Sequence, residues 1–187
     1  MPEKEIDYFT ALYDVARVIN ASLEPSQVLD EIVRAAAEAM NAKASSLRIL
    51  DVRRNRLVMG AHYGLSGAYL QKGPLLVEES GLDQEALKGE IIWIKDAQTD
   101  PRFRYQDMAR AEGIKSVLVV PLKAGSRVIG VLRVYADRIR KFRKKEVRFM
   151  EAVANLSAIA LDNARMHQRV QTEFDLLAGH KYRLDDN

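Results

Sequence analysis

The chain has 187 residues, 48% of them apolar and 29% charged, a balance that suits one globular domain with a full core rather than two. It contains no cysteine, which excludes disulfides, thiolate metal centres, thiol nucleophiles and a thioether-linked chromophore together. A formal net charge of +3 bears on solubility more than on any partner.

His62, His167 and His180 stand far apart, and no His/Glu cluster has the spacing of metal ligands, so no metal or other cofactor is expected. The opening residues Met1, Pro2, Glu3, Lys4 and Glu5 place acids where a signal peptide carries a basic and then an apolar region. No apolar run approaches the ~20 residues that cross a bilayer, and the expectation is a soluble, cytoplasmic protein.

In chain order, Ile6, Phe9, Leu12, Tyr13, Ala16 and Ile19 recur at steps of three and four, which predicts an amphipathic helix over residues 3–20. Pro25 suits a first helical position and opens a second helix, with Val28, Leu29, Ile32, Val33, Ala36 and Met40 on one face. From Ala44 the period changes to two. Residues 45–51 and 56–63 then read as a hairpin joined by the charged turn Val52, Arg53, Arg54 and Asn55.

The middle is less regular. Residues 64–73 read as a loop, 75–77 as a short strand, 81–88 as a turn or two of helix and 91–94 as another short strand. Asp100 before Pro101 blocks helix there. Residues 105–112 form a short helix that Gly113 ends. The most apolar stretch follows, a hairpin over residues 114–135 with both faces of each strand apolar, hence central and covered on both sides. Pro121 removes a ladder donor, so it belongs at the turn or where the strand is locally unpaired. Gly130 marks a bulge or the close approach of another backbone.

After Phe142 one long helix runs to about residue 178. One stripe, Val147, Met150, Ala154, Ser157, Leu161 and Ala164, is expected to pack on the sheet. A second, Phe149, Val153, Leu156, Ala160, Asn163, His167, Val170, Phe174 and Leu177, keeps coiled-coil spacing and faces another helix, either residues 3–20 or a counterpart in a second subunit.

The order helix, helix, hairpin, irregular middle, hairpin, long helix resembles the GAF domain family. The residues that carry the likeness are the run from Asp96 through Thr99, Asp100, Pro101 and Phe103, then Gly113 to Leu122, then Gly130, Val131 and Leu132. Phe142 with Glu146, and the ending Ala158 to Arg165, resemble the closing helix. The likeness covers residues 23–168. It implies an α+β fold: a PAS-related antiparallel sheet with the terminal helices on one face and a small-molecule pocket under the irregular middle on the other. It also implies sensing or dimerisation within signalling proteins, rather than catalysis.

The bilin-binding and methionine sulfoxide reductase branches of the family depend on cysteines, which this chain lacks. The cyclic-nucleotide branch carries an Asn-Lys pair that is also missing, and only the Phe142 to Glu146 fragment of its motif is present.

Strand alternation puts Arg48 and Arg133 on the pocket side if the helices cover the more apolar faces. Two guanidiniums there favour a carboxylate or phosphate by bidentate hydrogen bonding. The alternative is that they reach solvent at strand ends or pair with Asp96 or Asp100. Trp93, Phe103, Tyr105, Tyr135 and His62 are candidate wall residues, Asp96 and Ser116 candidate polar contacts. No nucleophile, base and orienting group assemble, so no enzyme is expected.

Arg138, Arg140, Lys141, Arg143, Lys144, Lys145 and Arg148 crowd the start of the long helix, where cations oppose the helix dipole. They are either ordinary solvated charge or a site for an anionic partner such as nucleic acid, a lipid surface or an acidic protein; scarce aromatics argue against single-stranded nucleic acid. The expected organisation is a dimerisation helix over residues 1–22, the ligand-binding domain over 23–168 and a helical extension and tail over 169–187. Phe9, Phe149, Val153, Leu156, Asn163, His167, Val170 and Phe174 form the expected homodimer interface. The expected function is a homodimeric sensory module for a small, anionic or aromatic molecule, working with a signalling partner. The alternative is a scaffold of the same fold without a ligand.

Overall fold

The computed structural model describes residues 7–21, 24–71 and 73–184. The predicted start of the first helix at residue 3 and the side chain of Phe174 lie outside the described residues. Helix α1 spans Tyr8–Ala21 and α2 spans Pro25–Ala39, with Pro25 at its first turn as its fixed φ favours. Strands β1 (Ala44–Asp51) and β2 (Arg56–Tyr63) form the first hairpin; its turn is a 3-10 segment in which the Asp51 carboxylate accepts from the Arg54 amide.

The irregular middle contains α3 (Gly67–Leu70), β3 (Leu75–Leu76), α4 (Gly81–Leu87), β4 (Ile92–Ile94) and α5 (Gln106–Glu112). The residues 64–73, read as a loop, thus hold a helical turn. Ser66 caps it, its hydroxyl accepting from the Tyr69 amide. Ser80 caps α4 in the same way, and Gly113 ends α5 at φ +72°, a left-handed conformation that favours glycine.

The central hairpin is β5 (Val117–Ala124) and β6 (Arg127–Tyr135), and α6 (Lys144–Leu184) follows. All pairings are antiparallel, and the six strands lie in the order β3-β2-β1-β6-β5-β4. That order seats the apolar hairpin inside the sheet, as its two apolar faces require. Strand β4 pairs only with residues 117–119, so β5 has no neighbour on that side at Pro121. Gly130 makes the close approach its position suggested: a Cβ there would lie 2.2 Å from the Arg48 carbonyl oxygen.

Alternation divides the sheet. Leu47, Leu118, Val120, Leu132 and Val134 face α1, α2 and α6, packing on Ile32, Val33, Met150, Val153 and Ala154. Each such aliphatic side chain contributes about 1.5–3 kcal/mol when fully buried. Val117, Val119, Val131 and Tyr135 face the other way, into a second core with Tyr69, Leu82, Ala86, Ile94 and Phe103.

Two expected interface residues turn inward. Phe149 and Val153 are buried within the protomer, and the Tyr8 ring of α1 sits 5.1 Å from that of Phe149. The second stripe of α6 therefore begins against the chain's own first helix. Phe9, Tyr13, Ile159, Met166 and Val170 remain exposed, with Asn163 and His167 beside them on α6 and Leu156 half-buried.

Arg140 joins the sheet to α6. Its Nη1 donates to the Met40 carbonyl at 2.8 Å, its Nη2 pairs with Glu146, and its guanidinium lies 4.9 Å from the Phe142 ring centre. Its amide donates to Ser116 Oγ at 2.9 Å, and its carbonyl accepts from the Trp93 indole at 3.1 Å. Glu146 also accepts from the Arg143 amide at 2.5 Å, which places an anion in the first turn and offsets the crowded cations there.

Candidate buried cation site

Face alternation in β1 and β6 sends Ser46, Arg48, Arg133 and Tyr135 to the side away from the long helices. All four are buried, Arg48 at 1% and Arg133 at 2% exposure. The register of β1 on β2 shifts between Leu47 and Arg48, a bulge that re-aims the strand at this point. Above the strands, α3 contributes Tyr69 and α4 contributes Asp83, both buried. Tyr69 and Tyr135 pack edge to face with centres 6.1 Å apart, and the Tyr135 and Ser46 hydroxyls hydrogen-bond at 2.8 Å.

The two arginines differ sharply in partners. Arg133 Nη2 makes an ion pair with Asp83 Oδ1, whereas Arg48 has no carboxylate within ion-pair distance among the described residues. The described hydrogen bond of Arg48 runs from Nη1 to the Leu57 carbonyl at 3.3 Å. Among the described residues, the buried Arg48 Nε, Arg133 Nε and Asp83 Oδ2 lack a hydrogen-bond partner. The Arg133–Asp83 pair is thus made through one oxygen, with the second bond of the guanidinium–carboxylate fork unmade.

Electrostatics follow from this count of two cations to one anion. Burial lowers the pKa of Arg48, and the charge of Arg133 lowers it further. Burial is the largest single influence on Arg133 and would lower it, but the charge and hydrogen bond of Asp83 together with Tyr135 and Tyr69 outweigh it and the group is raised. Burial, the largest single influence, tends to raise Asp83, but Arg133, Ser80 and Arg48 together more than compensate, so that carboxyl stays below its ordinary range. Burial, then the neighbouring Tyr135, holds the Tyr69 hydroxyl protonated far above neutrality.

Of the nine predicted ligand contacts, the structure gathers Arg48, Arg133 and Tyr135. Phe103 is buried in the same core, on the segment after Pro101. The others stand apart. Ser116 is occupied by the Lys95 carbonyl, to which it donates at 2.6 Å, and by the Arg140 amide. Asp96 shapes its own turn, accepting from the Gln98 amide at 3.0 Å. Trp93 is 37% exposed on an edge strand, and His62, opposite Ser46 in the β1–β2 register, is exposed. Tyr105 is half-buried, with the Arg104 guanidinium 5.4 Å from its ring centre. Neither Asp96 nor Asp100 is the arginines' partner; Asp100 pairs with Arg102 at 2.7 Å.

Sequence reasoning missed Tyr69 and Asp83. Asp83 had one signal, since it lies beside Leu82 and ahead of Ala86 on the buried face of a short helix, where an acid requires a partner. Tyr69, between glycines in an aperiodic segment, had none.

Among the described residues no helix is long and apolar enough to cross a membrane, and no group of three or more His, Cys, Asp or Glu is placed to hold a metal.

A family model described as GAF domain matches residues 22–162. The formate hydrogenlyase transcriptional activator of Salmonella typhimurium (strain LT2) is 24% identical over 173 residues, covering 89% of this chain and 25% of that protein. The Nif-specific regulatory protein of Herbaspirillum seropedicae is 26% identical over 179 residues, covering 92% and 32%. The chain thus spans about a quarter to a third of these relatives. Among solved structures, the GAF domain of a phosphoenolpyruvate-protein phosphotransferase from Coxiella burnetii superposes with a TM-score of 0.80 at 23% identity, covering 89% of this chain and 99% of that one. Free methionine-R-sulfoxide reductase from Neisseria meningitidis superposes with a TM-score of 0.73 at 18% identity, covering 89% and 95%.

Proposed function

We propose that this chain, which belongs to the GAF domain family, is a non-enzymatic, homodimeric sensory module that binds a small anionic molecule at the Arg48–Arg133 cluster and signals through α6. The observation that carries the reading is the surplus buried cation. A guanidinium without a carboxylate costs several kcal/mol to bury, and a bound anion would offset that cost. The regulatory proteins among its relatives support a sensory role. The exposed stripe of Ile159, Asn163, His167 and Val170 supports pairing of α6 with a second copy, because its spacing continues the coiled-coil pattern past the sheet. Signal passage would be a population shift, requiring tighter ligand binding in one arrangement of α6 than in another.

A second reading has its own support: the cluster is sealed, with Tyr69 and Tyr135 filling the space beside the arginines. On that reading the chain is a ligand-free scaffold for dimerisation or docking. Native mass spectrometry of freshly purified protein separates the two. A retained small molecule on a two-chain species is the expected result; bare dimers would favour the scaffold, and bare monomers would defeat the sensory dimer and leave only a docking scaffold.

A further inference from the structure

Resting on that reading of the site, we infer that its ligand is a monovalent carboxylate, and that Asp83 is the residue that selects one negative charge over two. The orphaned atoms define what is lacking. Arg48 and Arg133 each leave Nε unbonded, and both are buried donors. A carboxylate presents two oxygens and so can accept from both, the planar recognition that guanidinium favours.

Charge sets the second constraint. With Asp83 paired to Arg133, the cluster carries one positive charge in excess. One negative charge neutralises it. A dianion, such as a dicarboxylate or a phosphate monoester at neutral pH, would bring a second negative charge beside the buried Asp83 carboxylate, and like charges in a desolvated site repel strongly. Asp83 Oδ2 is a buried acceptor without a donor, so its charge is not fully compensated. The Ser46 and Tyr135 hydroxyls, bonded to each other, keep one proton between them to donate, to an anion of either charge, and so do not discriminate.

Placement fits the role. Asp83 is carried by α4, which lies over the central strands between Gly81 and Gly89, the latter at φ +98°. Because Arg48 and Arg133 are sealed, a ligand enters only when this cover lifts. The selecting charge therefore rides on the segment that must close over the ligand.

The test uses the full chain in chloride-free buffer at about pH 8.5, where inorganic phosphate is a dianion, with acetate and propionate as monoanions and succinate and phosphate as higher-charged probes at matched ionic strength. Binding is read from the guanidinium Nε–H resonances of Arg48 and Arg133 in proton–nitrogen correlation spectra. The expected result is that the monoanions bind the wild type at least about tenfold more tightly than succinate or phosphate. Asp83→Asn should cut that preference by about tenfold or reverse it. Arg48→Met, which removes a cation that lacks a carboxylate partner, should abolish monoanion binding while the protein stays folded. If Asp83→Asn does not fold, the wild-type preference and the Arg48→Met loss still decide. Equal binding of all probes, or a preference unchanged in Asp83→Asn, overturns the selector role and leaves the anion site standing. No response of either arginine to any probe overturns the anion site itself.

Discussion

Arg48 and Arg133 have nearly the same burial and the same chemistry, yet replacing them should have opposite consequences. Arg133→Met strands Asp83, a buried carboxylate whose ion-pair partner is removed, and breaking a buried pair from one side costs about 3–5 kcal/mol. The nearby Arg48 also attracts Asp83 electrostatically, which argues for the lower end of that range. Arg48→Met strands no acid. It removes a desolvated cation and leaves one carbonyl, that of Leu57, short of a 3.3 Å hydrogen bond worth about 1 kcal/mol. Against that loss stands relief of an unpaired buried charge; even a buried ion pair replaced whole by apolar side chains is often neutral or more stable by about 1–4 kcal/mol. Ligand-free Arg48→Met should therefore fall between unchanged and about 2 kcal/mol more stable. Urea unfolding at pH 7 decides the matter. With a slope near ~2 kcal/mol/M, Arg133→Met should lower the midpoint by roughly 1.5–2.5 M, and Arg48→Met should leave it in place or raise it. A loss above ~2 kcal/mol in Arg48→Met, or equal losses in the two variants, would refute the assignment of Arg48 as the surplus charge.

Gly130→Ala should destabilise by about 1–3 kcal/mol in the same assay, because the new Cβ meets the Arg48 carbonyl of the neighbouring strand at 2.2 Å; a neutral result would show that β1 and β6 do not approach so closely. Acid should act through Asp83. Its folded pKa lies below the ordinary value of 3.8, so its contribution is complete above about pH 4 and is lost as pH falls through the folded value. The gap in melting temperature between wild type and Asp83→Asn should accordingly be constant from pH 7 to 5 and close below pH 4; a gap that widens on acidification contradicts the sign. If α6 pairs with a second copy as proposed, Val170→Glu, which places a charge on its exposed stripe, should raise the dissociation constant of that pair at least tenfold without lowering the melting temperature of the domain. Sedimentation equilibrium measures the first quantity and calorimetry the second.

Fold and site differ in how far the amino-acid sequence discloses them, and the reason is range. Arg48, Arg133 and Tyr135 share a face because neighbours on a strand alternate, a rule that acts over two residues and is visible in the text of the chain. The hairpin of β5 and β6 is likewise local, with its apolar character on both faces pointing to the middle of the sheet. The partner of Arg133 is not local. Asp83 lies fifty positions earlier, on a seven-residue helix whose seat over the strands depends on the path of the whole middle segment. Ser116 shows the converse. Its position next to the core suggested a ligand contact, but the chain turns back at Arg140 and uses the hydroxyl for its own backbone. Phe149 and Val153 carried coiled-coil spacing that two different helices could satisfy, and the chain's own first helix satisfies it.

The length of α6 has a mechanical consequence. Its 41 residues extend for about 60 Å at 1.5 Å per residue, while burial against the sheet ends near Leu161. The portion beyond Arg165 is thus a lever arm of roughly 30 Å whose base is the stretch of α6 packed on the sheet, a stretch tied at its start by Arg140 to Ser116, just ahead of β5, and to the end of α2. A tilt of about 5° where the packed stretch ends displaces the tip by about 2.5 Å, half a helical turn, whereas the atoms at that fulcrum move by only a few tenths of an ångström. Displacements near the arginines too small to disturb the packing of the core are, at the far end of the arm, large enough to change which residues meet.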